Sequence, residues 1–191
     1  MAKPTLLLWW ILLISLPLSG EEVASGVLRT PDERFVDLVD FPFEPNYLQF
    51  NGVRVHFLDE GPESGQPILL LHGLPTWSYL YRNMIPALTE AGHRVIVPDL
   101  IGFGKSDKFA NKTNYSYVHH IETIKYLVHS LDLHGATFFG QDWGGMIGLR
   151  VVAEMQDRFA RVAVSNTGMV AREGITGWLI EKVLAFMIWW N

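Results

Sequence analysis

The chain contains no cysteine. That excludes disulfides, a thiolate-held metal and a cysteine nucleophile. Charge is also scarce. Asp, Glu, Lys and Arg make up 18% of 191 residues against 49% hydrophobic, and the net charge is −5. No run or stripe of Lys and Arg occurs, which argues against nucleic acid as a partner. Internal repeats and low-complexity linkers are missing too. What remains is the composition of a globular protein, long enough for one domain with its own core.

The apolar run at the N-terminus, residues 5–18, falls short of the roughly 20 residues that a membrane-crossing helix needs. Its length suits the core of a secretory signal, and Ser19, Gly20, Ala24 and Ser25 offer small residues for cleavage. Residues 1–25 are therefore read as a signal peptide, with a membrane anchor as the alternative. The expected location is secreted or periplasmic, or membrane-anchored with residues 5–18 in contact with the bilayer. Two triplets, Asn111-Lys-Thr113 and Asn114-Tyr-Ser116, have the form of glycosylation acceptors, which matters only in a eukaryotic secretory pathway.

Periodicity divides residues 26–168 into alternating strands and helices. Pro31, Pro42 and Pro45 predict an irregular arm. Asn51-Gly52 between residues 47–50 and 53–58 predicts a hairpin. Continuous apolar runs at 68–71 and 95–97 predict buried parallel strands, with further strands at 136–139 and 161–164. Helices are expected over 79–91, 117–131 and 143–155. A hairpin followed by this alternation predicts a doubly wound, mostly parallel α/β sheet. From Gly168 the pattern changes to a Trp- and Ile/Leu-rich segment with helical character, residues 169–191, read as an incomplete helical cap.

The chemistry is concentrated at Gly140-Gln-Asp-Trp-Gly144, followed by Gly145. An apolar strand, a Gly-flanked polar residue and a helix make the layout of a nucleophile elbow, a strained turn that exposes one side chain. The usual residue there is Ser; here it is Asp142. A carboxylate can displace a leaving group at saturated carbon and become an alkyl ester, which water must then hydrolyse. That points to carbon–halogen or epoxide opening. A metal is not indicated, because His119, His120 and Glu122 form no two-turn ligand face. His119, His120, His129 and His134 read as helix-surface or loop residues, His72 as a support of the loop it begins, and Asp99 as a loop-shaping residue.

Four segments together resemble the haloalkane dehalogenases of the α/β-hydrolase fold: Arg29-Thr-Pro-Asp-Glu-Arg-Phe35, His72-Gly-Leu-Pro-Thr-Trp-Ser-Tyr-Leu-Tyr-Arg82, Pro98-Asp-Leu-Ile-Gly-Phe-Gly-Lys-Ser-Asp-Lys108 and Gly140-Gln-Asp-Trp-Gly-Gly145. The resemblance implies that Asp142 is the nucleophile. It implies that the backbone N–H groups of Leu74 and Trp143 form the oxyanion hole, and that the Trp143 indole binds the departing halide. The partners implied are a small halogenated hydrocarbon and a halide ion, with no cofactor.

Two positions depart from the family's pattern. Many members carry Asn where this chain has Leu74, and its amide is their second halide donor. Another branch takes that donor from a cap Trp, and Gly174-Ile-Thr-Gly-Trp178 resembles that segment, so Trp178 becomes the candidate. Asn166 stands where one branch has an acidic residue, so the acid and the His base are expected beyond Asn191. The expectation is an inactive fragment of a dehalogenase-like hydrolase. One alternative is an epoxide hydrolase, although those usually have His where Gln141 stands. The other is a non-catalytic secreted or binding protein on the same scaffold.

Overall fold

The computed structural model describes residues 20–168. Residues 5–18, the expected cap segment 169–191 and Trp178 lie outside the described residues. Among the described residues no helix is long and apolar enough to cross a membrane.

A six-stranded sheet forms the centre. β3 (Asn46–Phe50) and β4 (Val53–Glu60) make the hairpin that Asn51-Gly52 predicts, with both turn residues at positive φ. β4 also runs antiparallel to β6 (Arg94–Pro98). The remaining pairs, β6 with β5 (Pro67–Leu71), β5 with β8 (Ala136–Gln141) and β8 with β9 (Phe159–Ser165), are parallel. The expected doubly wound sheet is what the chain forms.

Both faces of the sheet are covered, which is why its central strands read as continuous apolar runs. On one face Ile68, Leu70, Val95 and Val97 pack against Tyr81 and Ile85, the latter on α1 (Met84–Glu90). On the other, Leu69, Leu71, Ile96 and Phe138 meet Ile121, Ile124 and Leu127 of α2 (Tyr117–Ser130) and Ile147 and Val151 of α3 (Trp143–Glu154). The alternation of 68, 69, 70 and 71 between the two clusters is the two-residue period of a strand.

The structure corrects one expectation. The helix over 79–91 is broken into a 3-10 turn, Ser78–Tyr81, and the short α1. Pro86 accounts for this. It lacks an N–H and clashes with the carbonyl four residues back, so it is tolerated only in a helix's first turn, and α1 begins at Met84. The arm contains a 3-10 turn, Asp32–Phe35. β1 (Glu21–Ala24) falls within the segment read as a leader. It pairs with β2 (Val27–Arg29), which pairs in turn with β7 (Lys108–Phe109) in a small antiparallel sheet. The boundary drawn at residue 25 therefore lies inside a hairpin.

Candidate active site

The C-terminal ends of β5, β6 and β8 deliver their loops to one edge of the sheet. β8 ends at Gln141, α3 begins at Trp143, and Asp142 between them has φ 54° and ψ −126°. Positive φ costs a non-glycine residue of order 1–3 kcal/mol, so the surroundings must enforce it. Two groups at the end of β9 do so. The Asp142 N–H donates to the Asn166 carbonyl at 3.2 Å, and Thr167 Oγ1 donates to the Asp142 carbonyl at 2.6 Å. Asn166 thus acts here through its backbone.

Close packing below the turn demands glycine. A Cβ on Gly144 would strike the Leu71 and His72 carbonyls. A Cβ on Gly73 would strike Asp142 itself. That contact marks how tightly the loop after β5 lies against the elbow, and it brings the Leu74 N–H to 2.9 Å from Asp142 Oδ1.

His72 fixes this loop. It is fully buried, and its Nε2 accepts the Leu100 N–H at 2.9 Å. That leaves Nδ1 to donate to the Gly73 carbonyl at 3.0 Å. Burial lowers its pKa against the opposing pull of Asp99 and the Gly73 bond, so the ring is neutral. With both nitrogens engaged by backbone, His72 has no lone pair left for a water.

Asp99 anchors the next loop. Its carboxylate is fully buried and accepts N–H bonds from Ser78 (2.7 Å) and Lys105 (2.8 Å), with His56 Nδ1 at 2.8 Å. Burial alone would raise its pKa. The hydrogen bonds from His56 and from the Ser78 N–H outweigh burial and hold it below the usual carboxylate range. His56 has a sequence signal: it is a polar residue on the buried face of β4.

Leu74 and Trp143 are both about 40% exposed and flank Asp142. They open a cavity of about 410 Å³ whose wall continues through Leu100, Phe103, Tyr115, Tyr117, His120 and Ile147. Asp142 precedes the wall residue Trp143 in the chain and accepts the N–H of the wall residue Leu74. Tyr117 meets the Trp143 ring edge-on at 6.5 Å and donates its hydroxyl to the Met146 carbonyl at 2.8 Å. His120, read from sequence as a surface or loop residue, is a wall residue of this cavity. Among the described residues no group of three or more His, Asp or Glu could hold a metal.

The α/β-hydrolase-fold family matches residues 66–181. The chain is 58% identical over 146 residues to a haloalkane dehalogenase of Psychrobacter cryohalolentis, covering 74% of this chain and 48% of that protein. It is 49% identical over 168 residues to one from Mycobacterium marinum, covering 85% and 54%. Among solved structures, a tetrameric haloalkane dehalogenase from Paraglaciecola agarilytica superposes with a TM-score of 0.74 at 43% identity, over 84% of this chain and 55% of that one. An epoxide hydrolase from Vigna radiata superposes at 0.64 with 26% identity, over 69% and 41%. The chain spans about half the length of the curated relatives it matches. With this sheet, this elbow and these likenesses, the chain belongs to the α/β-hydrolase-fold family and is a homologue of the haloalkane dehalogenases.

Proposed function

We propose that this chain carries the nucleophilic half of a haloalkane dehalogenase. Asp142 attacks a halogen-bearing carbon, the carbon–halogen bond breaks, and the halide leaves with the bonding pair. The product is an alkyl ester on Asp142. The observation that carries this reading is the carboxylate at a positive-φ elbow, with the Leu74 N–H 2.9 Å from Oδ1. When water later attacks the ester, negative charge develops on the carbonyl oxygen, and the N–H groups of Leu74 and Trp143 are the donors for it. The Trp143 indole, exposed at the cavity mouth, is the donor for the halide. The wall narrows the substrate class: small halogenated hydrocarbons fit its largely carbon surface.

Ester hydrolysis requires a base to activate water, an effect worth about 10²–10⁴-fold. Among the described residues no histidine hydrogen-bonds to Asp142, and His72 has both nitrogens engaged. The 191-residue polypeptide on its own is therefore expected to react once and stop. The test is bromide release from the chain mixed with a large molar excess of an alkyl bromide. One bromide per chain followed by arrest supports the reading; sustained release contradicts the single-turnover part.

Epoxide opening is the second reading, favoured by the superposition with epoxide hydrolases. It predicts a hydroxyalkyl ester from an epoxide and no bromide release. Export through residues 1–25 stays part of the proposal, tested by whether a fused reporter is secreted.

A further inference from the structure

The cavity beside Trp143 contains a polar group that this chemistry does not use. His120 lies in the first turn of α2, with its ring stacked on Tyr115 at 6.4 Å and 29°. Its neighbours in the wall have their polar atoms engaged within the fold. The Tyr115 hydroxyl accepts the Phe109 N–H at 2.8 Å, the Tyr117 hydroxyl donates to Met146, and Ser116 Oγ accepts the His119 N–H at 3.1 Å. His120 differs. Its Nδ1 is closed off from solvent without a hydrogen-bond partner among the described residues, and the residue lines the cavity.

An imidazole in this setting stays neutral. Burial pushes its pKa down to about 4. A neutral ring offers one N–H and one lone pair, so it can donate to an oxygen or accept from a hydroxyl without introducing charge. The rest of the wall is largely carbon, from Leu74, Leu100, Phe103, Ile147 and the tyrosine rings, and no carboxylate, ammonium or guanidinium lines it. Such a cavity fits a neutral molecule with an alkyl body and one hydroxyl. A simple alkane would offer the ring no hydrogen-bond partner, and an unmet partner is the penalty by which polar groups discriminate.

We propose that His120 is a specificity-determining residue that hydrogen-bonds a hydroxyl on the halogenated substrate, at the end remote from the carbon–halogen bond. This rests on the reading of Asp142 as the group that receives the halogenated carbon. It therefore calls for a measurement independent of ester formation. The full chain carrying Asp142→Asn cannot form the ester. In that background, Trp fluorescence titration gives the affinities for bromohexane and for its ω-hydroxy analogue, with His120 intact, with His120→Phe and with His120→Gln.

With His120 intact the hydroxylated bromide is expected to bind about 10-fold more tightly than bromohexane, the worth of one hydrogen bond. His120→Phe should remove that preference while retaining bromohexane, and His120→Gln should restore part of it. An unchanged ratio in His120→Phe, or no binding of either bromide with His120 intact, overturns the proposal. Failure of the Asp142 reading appears elsewhere, as the absence of an ester on the chain that retains Asp142.

Discussion

Leu74 and Asp142 are separated by 68 positions in sequence and meet at 2.9 Å, backbone N–H to Oδ1. The contact depends on Gly73, whose missing Cβ leaves room for the Asp142 side chain. Gly73→Ala should push the two loops apart. The expected cost is about 1–3 kcal/mol of stability, typical of overpacking, with ester formation slowed in step. Urea denaturation and the rate of adduct appearance check the two parts. An alanine variant with unchanged adduct kinetics would show that the Leu74 contact is incidental.

Leu74 itself has an exposed side chain, so it can be exchanged with little loss of packing. Leu74→Asn adds an amide donor at the cavity mouth. Iodide quenching of Trp fluorescence should then show halide affinity rising roughly 10-fold, the effect of one good hydrogen bond. No change would mean that the side chain at 74 does not face the halide.

Thr167 ties the other side of the elbow through its 2.6 Å bond to the Asp142 carbonyl. Thr167→Val keeps the shape and removes the donor. About 1 kcal/mol of stability should be lost, and the rate of ester formation should fall with it. Thermal unfolding and intact-mass kinetics read the two effects.

Acid sensitivity should have two separable sources. Asp99 has a folded pKa below its unfolded value. Its contribution is therefore fully present above the unfolded pKa of about 4 and is lost as pH falls through the folded value. Asp99→Asn should remove this slope and cost roughly 3–5 kcal/mol near neutrality, because it breaks a buried pair. His120 has its pKa lowered from 6.5 to about 4. Its neutral form is favoured in the fold, so stability is present above about 6.5 and declines as pH falls toward 4, by at most about 1.4 kcal/mol per pH unit. His120→Phe should reduce the slope in that higher window, to which buried His72 also contributes, and leave the lower window unchanged. Chemical denaturation from pH 3 to pH 8 distinguishes them.

The sequence made the centre of the fold legible because fully covered strands must be continuously apolar, as 68–71 and 95–97 are. The elbow was legible because its strand, glycines, Asp142 and helix are contiguous. Helix 79–91 misled because its apolar spacing is genuine, yet Pro86 restricts where an α-helix can begin. The sheet of β1, β2 and β7 was hidden for a different reason. Its strands are two to four residues long, too short for a period. His119 and His120 look alike in sequence. Only the meeting of α2 with the loop containing Phe103 and with α3 sends one of them into the cavity wall. Thr167 likewise gains its role from β9 pairing beside β8.

The central claim is that Asp142 is the atom donor in bond formation, and the most direct measurement is peptide mapping by mass spectrometry after exposure to an alkyl bromide. The account predicts one added alkyl group per chain, located on Asp142, and none on Asp142→Asn. An alkyl group on another residue, or an equal adduct on the Asn variant, would contradict it.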